Sequence, residues 1–391
     1  MKNLRKYVSL LIPIFASVAC LIDARGAEGP STMSNYLVYV GTYTGPKSQG
    51  IYAYKFESAT GKLTPLGLAG ASNNPSFLAV HPNHHFVYAV SEQVDYEGKK
   101  SGSVSAFSLD PKTGKLKLLN TLASGGAEPC HIWIDKTQKY ALVANYGSGS
   151  VAVFPILPDG RLGKATSVIQ HTGHSINPER QEGPHAHCIL SSPDNQYAMA
   201  ADLGVDHVVV YRFDDAHGTL TPNTPPFAAV KTGSGPRHLA FHPNGKFFYV
   251  NSEMGNIVTV FAYDASHGTL KELQVITTLP AGFKGVSTTA EIAVHPSGRF
   301  LYCSNRGHES IAVYSIDPAK GTLTPVEIVP SGGTEPRSFE IDPTGHFLIS
   351  ANQNSNNIAV YRIDQKTGRL TATGQAVEIQ APVCVKFAPM Q

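Results

Sequence analysis

Three arginines, Arg237, Arg306 and Arg337, stand with Glu253, Glu291 and His187 at matching places in successive copies of an internal repeat. Guanidinium groups fork onto carboxylates, phosphates and developing oxyanions. Imidazole and carboxylate groups move protons near neutral pH. Brought to one place, these types suit acid–base chemistry on an anion, and hydrolysis of an ester needs both kinds. Three arginines together are costly unless carboxylates or an anionic ligand share the space. No Gly-x-Ser-x-Gly elbow is present and no Ser-His-Asp order is evident, so serine acyl transfer is not expected. His171, His174, His185 and His187 are close in sequence, but neither helical spacing nor a carboxylate completes a metal site. No metal and no cofactor is expected. Gly147-Ser148-Gly149 precedes a strand pattern, not a helix, and reads as a turn, not a phosphate loop.

The repeat positions these residues. The stretch 235–270, GPRHLAFHPNGKFFYVNSEMGNIVTVFAYDASHGTL, recurs in outline at 335–370 as EPRSFEIDPTGHFLISANQNSNNIAVYRIDQKTGRL. Each copy holds four apolar segments separated by turns of the types His-Pro-Asn-Gly and Asp-x-x-x-Gly-x-Leu, which place Gly, Asn and Asp where positive φ is needed. Four antiparallel strands of this kind make one propeller blade. The turn leucine occurs at Leu63, Leu116, Leu162, Leu220, Leu270, Leu323 and Leu370, so the chain is expected to be all-β, a seven-bladed β-propeller. Residues 381–389 form a lone first strand, and residues 36–70 supply a second, third and fourth. The two ends are expected to share one blade, which closes the ring and leaves no free sheet edge.

Aligned on the turn proline, the copies place Ser76, Cys130, His187, Arg237, Ala290, Arg337 and Val383 at the start of the first strand. One residue later stand Phe77, His131, Cys188, His238, Glu291, Ser338 and Cys384. The second strand ends at Thr42, Glu92, Tyr146, Leu203, Glu253, Arg306 and Gln353. Both places open on one mouth of the ring, because the first strand runs away from that face and the second returns to it. Purely structural positions would carry similar residues in every copy. The irregular connections, Val94–Ser101 and Val168–Gly183, lie at this same face, as working loops do. His81, His85, His242, His295 and His346 read as turn residues of the opposite face, and Trp133 as core.

Charged residues make up 15% of the chain and the net charge is +2, with no basic stretch that would bind nucleic acid. Lys2, Arg5 and Lys6 precede an apolar run, Val8–Leu21, and small residues follow. Residues 1–27 therefore read as an export signal, cleaved near Ala24–Ala27, and residues 34–391 as a single propeller domain. The run is too short for a transmembrane span, so a periplasmic or secreted protein with no stable membrane insertion is expected. Cys20 sits in a lipoprotein-like Ser-Val-Ala-Cys, from which Ser17 departs. Cys130, Cys188, Cys303 and Cys384 are far apart in apolar segments and read as buried free thiols.

The segments RQEGPHAHCIL, SPDNQYAMAADLG, GPRHLAFHPNGKFFYV, EIAVHPSGRFLYCSNRGHESIAVY and PRSFEIDPTGHFLISANQ resemble the seven-bladed propeller lactonase family, which includes the propeller type of 6-phosphogluconolactonase and the fungal carboxy-muconate lactonising enzymes. The resemblance spans residues 36–389. It implies cofactor-free hydrolysis of a lactone ring, or ring closure by isomerisation, on a small anionic substrate. It implies a catalytic set of His187, Arg237, Glu253 and Arg306, which the repeat comparison also singles out. His131, His185, Arg337 and Glu291 are expected to line the substrate. Glu253 and His187 both remain candidates for the general base. The best-known member acts on a phosphorylated sugar lactone in the cytosol, whereas this chain carries an export signal, which leaves the substrate open. Two other readings are a muconate-type cycloisomerase and a non-catalytic propeller. The latter would show a mouth filled by ion pairs, every arginine matched by a carboxylate, and no pocket.

Overall fold

The computed structural model describes residues 35–391, and the segment read as an export signal lies outside them. The described residues form seven sheets, each of four antiparallel strands, and the chain is a seven-bladed β-propeller. The second to seventh blades take up residues 78–123, 129–170, 186–229, 236–277, 288–330 and 336–378 in chain order. In the first blade the strand Pro382–Pro389 pairs with Asn35–Thr42, with Tyr36 opposite Pro389 and Val40 opposite Val385. The last strand of the chain is thus the innermost strand of the blade that the N-terminal strands build.

The burial patterns follow from this packing. The second strands Phe247–Ser252 and Phe347–Asn352 are buried along their whole length, because blades cover both faces, and they read as continuous apolar runs. The outer strand Leu370–Glu378 alternates, as a half-solvated strand does. The Asp-x-x-x-Gly-x-Leu turn also sets blade spacing. Gly268 has φ +64°, and a Cβ there would lie 2.3 Å from the Tyr197 ring of the preceding blade. Glycine meets both the left-handed backbone and the close approach. Gly61 meets Phe347 in the same way, between the first and seventh blades.

The turn histidines tie neighbouring blades together. His242 Nε2 donates to Gly298 O and His295 Nε2 to Gly345 O, each at 2.8 Å. One expectation is corrected and one is made more specific, since Trp133 packs against two core clusters. Val168, Ile169 and Gln170 belong to the outer strand Ser167–Gln170 of the third blade, so the irregular connection begins at His171; their alternation suits an edge strand. Trp133 is only half-buried between the buried Ile132 and Ile134. Strand alternation turns it to the axial channel, where its Nε1 donates to Ser191 Oγ at 3.3 Å.

The first strands line that channel. A cavity of about 900 Å³ occupies its turn-side half, and one of about 10 Å³ lies toward the other mouth. Phe77 and His238 border both.

Candidate active site

At the site mouth the first strands carry bulges. The ladder register shifts between Ala186 and Cys188, Pro236 and His238, and Pro336 and Ser338. A bulge sets two residues against one and re-aims side chains. Arg237 and His238, adjacent in sequence, accordingly both border the narrow cavity, with His187, Arg337, Ser76 and Cys130.

Glu253 follows the last residue of the fifth blade's second strand and is the hub of the charge cluster. Its Oε2 lies 3.0 Å from Arg237 Nε and 2.9 Å from Arg306 Nη2. Its Oε1 accepts from Arg180 Nη2 at 2.8 Å. Arg237 Nη1 also donates to Ala290 O at 2.5 Å, and Arg306 Nη2 to Thr289 O at 3.1 Å. Arg306 Nη1 reaches Glu335 at 3.6 Å, and Arg337 Nη2 reaches Glu92 at 3.9 Å. Glu92 is itself held by Tyr43, whose Oη donates at 2.9 Å, and the Arg337 guanidinium lies over the Tyr43 ring at 5.4 Å.

The cluster is electropositive, with four guanidinium groups contacting three carboxylates. Burial pushes the Glu253 carboxyl up, but Arg306, Arg237 and Arg180 together outweigh it and bring it down to about 2. Burial, reinforced by Arg306 and Arg337, lowers Arg237 to about 10, which keeps it charged at neutral pH. Burial drives His187 well below the ordinary imidazole value, and Arg237, His238, Arg337 and Arg306 add to the effect. His131 is likewise held well below by burial and by His238, Lys386 and Arg237. In His238 burial lowers the imidazole against the pull of Glu291.

A pH dependence of stability follows. His131, His187 and His238 are depressed in the folded chain, so below about pH 6.5 the unfolded chain binds more protons. Stability is expected to fall with pH from there, by up to about 1.4 kcal/mol per pH unit for each histidine. Glu253 adds its own loss only below its ordinary value of 4.5. Urea unfolding at pH 7, 6 and 5 reads this directly, and an unchanged free energy across the three would contradict it.

His187, Arg237, Glu253, Arg306 and Arg337 thus converge, as the repeat comparison anticipates. His185 sits at the rim, stacked on Tyr146 at 4.6 Å, with Nδ1 donating to Tyr146 O at 3.1 Å. His131 and Glu291 lie one layer deeper and border the large cavity, not the narrow one. The first strand has carried them past the bulge, so they line the broad part of the channel. His171 is held by Asp202 at 2.5 Å and Tyr211 at 2.7 Å, away from the arginine cluster's contacts. Among the described residues no group of three His, Cys, Asp or Glu is arranged to hold a metal. The four cysteines are buried and free.

Arg180 escapes the sequence comparison. It belongs to the connection 171–185, which has no counterpart in the other copies. That connection is nonetheless well anchored: Asn177 Oδ1 accepts from the Arg180 amide, and the buried Gln181 donates to Leu203 O at 2.8 Å. Arg180 also donates to Tyr146 Oη at 3.2 Å. Tyr146 and Glu92 are present in the end-of-second-strand column but carry no signal of charge pairing there.

Comparison with known proteins agrees with this architecture. Residues 37–387 match the family described as Lactonase, 7-bladed beta-propeller. The 6-phosphogluconolactonase of Bacillus subtilis is 39% identical over 355 residues, covering 91% of this chain and 99% of that protein. The crystal structure of a putative 6-phosphogluconolactonase from Bacteroides fragilis is 37% identical with a TM-score of 0.85, covering 92% of this chain and 100% of the other. The periplasmic gluconolactonase of Pseudomonas aeruginosa is 36% identical with a TM-score of 0.86 and the same coverage.

Proposed function

Because this chain belongs to the lactonase family of seven-bladed β-propellers, we propose that it hydrolyses the ring ester of a sugar-acid lactone, anionic where phosphorylated, to an anionic sugar acid at the arginine-lined mouth. The observation that carries this reading is the convergence of three guanidinium groups on the single carboxylate of Glu253 beside imidazoles kept neutral. A cluster built only for stability would match its charges more evenly; this one retains positive charge for an acid group or an oxyanion. Each arginine does meet a carboxylate, as the non-catalytic reading expects, but three of them share one, and the channel beneath the mouth holds a cavity of about 900 Å³, which that reading does not expect.

Glu253 is a poor proton acceptor. Both its oxygens are engaged and its carboxyl is held at about 2, far from the neutral range where a base works best. Its role is to set the arginines. Arg237, Arg306 and Arg337 stabilise the developing oxyanion and the carboxylate of the product, and hold the phosphate where the lactone carries one. The relatives named for 6-phosphogluconolactone and gluconolactone point to an aldonolactone, phosphorylated or not. The signal-like N-terminus and the periplasmic location of the Pseudomonas relative support export, which favours an unphosphorylated aldonolactone, a neutral ester whose charge arises in the oxyanion and the product.

A panel of 6-phosphogluconolactone, gluconolactone and simple alkyl lactones, followed by proton release, tests this reading. Turnover is expected for the sugar-acid lactones, faster than the uncatalysed background. No turnover on any lactone, with loss of the ultraviolet absorbance of an added muconate, would replace hydrolysis by cycloisomerisation.

A further inference from the structure

The hydrolytic reading leaves the proton acceptor unassigned, and the narrow cavity bears on it. Its volume of about 10 Å³ is close to the ~10–15 Å³ that one water requires. Ser76 Oγ, His187 Nδ1 and His238 Nε2 are buried on its border and have no hydrogen-bond partner among the described residues. Three unsatisfied polar atoms around a one-water space are unusual, since buried polar groups are nearly always paired.

His238 differs from His187 in one respect. Its Nδ1 lies 2.8 Å from Glu291 Oε1, while His187 has no side-chain hydrogen bond among the described residues. Burial raises the Glu291 carboxyl, but His238, Lys386 and Arg237 bring it below its ordinary value. The ionised carboxylate only accepts, so His238 donates from Nδ1 and its neutral ring presents the Nε2 lone pair. The ring is fixed from several sides. Phe77 packs edge-on at 5.6 Å, His131 lies at 5.5 Å and His187 at 5.2 Å. The His238 amide is bound to Asn251 Oδ1 at 2.8 Å. A carboxylate that orients an imidazole whose other nitrogen faces a reaction space is the arrangement of a general base.

We propose that His238, oriented by Glu291, is the general base of this site, and that Ser76 and His187 complete the seat of the attacking water. The proposal rests on the lactonase reading. Water gives a proton to His238 Nε2 as its oxygen bonds to the acyl carbon. The acyl–oxygen bond of the ring then breaks, and the proton passes from His238 to the departing ring oxygen. One water is consumed and one hydroxy acid formed. His238 is catalytic in this scheme; Glu291 is a positioning residue.

The test uses the exported chain, its His238→Gln and Glu291→Gln variants, and gluconolactone with 6-phosphogluconolactone as substrates. His238→Gln is expected to lower kcat by about 10²–10⁴. Glu291→Gln retains an acceptor for Nδ1 but removes the charge. Arg237, His131, His187 and Lys386, the other titratable groups around His238, disfavour its imidazolium or are neutral. Without Glu291 the imidazolium is less stable still, so the acid limb of kcat/KM moves to lower pH, a change that a merely structural role would not produce. Nitrogen NMR of the wild type should find the His238 proton on Nδ1. Active wild type with His238→Gln within twofold of it, or a proton on Nε2, overturns the dyad and leaves the lactonase reading intact. Wild type inactive on both lactones defeats both. If His238→Gln does not fold, an unmoved acid limb in Glu291→Gln overturns the proposal.

Discussion

Arg237→Lys is expected to lower kcat/KM on a sugar-acid lactone by about 10²–10³, the usual effect of removing one oxyanion donor. Charge is conserved in this change, so the loss would come from geometry. Arg237 is almost wholly buried. Its Nε holds Glu253 and its Nη1 holds Ala290 O. Nη2 is left without a protein partner among the described residues, and Arg237 borders the narrow cavity. A planar fork satisfies two fixed acceptors and still directs a third nitrogen to a ligand; a lysine ammonium is a single point on a flexible stem. Lysine at 237 would have to give up either Glu253 or the substrate. Steady-state kinetics on gluconolactone at equal folded fraction measures this, and a loss below fivefold would show that the guanidinium geometry is not used in the transition state.

Glu253→Gln should act first on stability. Three guanidinium groups meet at this carboxylate, and two of the arginines, Arg237 and Arg306, are buried. Removing one partner of a buried ion pair costs about 3–5 kcal/mol, because the remaining charge is left uncompensated. The variant should recover much of this on binding an anion. Gluconate at about 100 times its Kd would return about 2.7 kcal/mol. Thermal unfolding of wild type and variant, with and without gluconate, measures both effects. A variant as stable as wild type and indifferent to gluconate would mean that the arginines do not depend on Glu253.

Much of the fold is legible in the sequence for a local reason. Each Asp-x-x-x-Gly-x-Leu turn needs a glycine at positive φ, as Gly268 shows, and each blade has one such turn, between its third and fourth strands. The count of seven therefore needs no knowledge of how blades pack. The same repeat identifies Arg237, Arg337 and His187, which break a column otherwise of small and apolar residues, and Glu253 and Arg306, which stand in a column whose residue type changes from copy to copy.

What the repeat does not carry is depth along the axis and partnership across blades. Strict alternation assigns Arg237 and His238 to opposite faces of one strand. The bulge between Pro236 and His238 brings both to the channel, and a bulge is a property of two paired strands. Arg180 lies in a connection with no second copy to compare, and it meets Glu253 across 73 residues. His131 and Glu291 share their column's start with the site residues yet fall beyond the constriction at Phe77 and His238. The sequence by itself determined the ring, its turns and which side chains break the repeat. Only the tertiary structure decided that one carboxylate gathers three arginines and that Glu291 holds His238, because, apart from Arg237 with Glu253, those contacts join different blades or a blade and a connection, whose distances the chain's local chemistry does not encode.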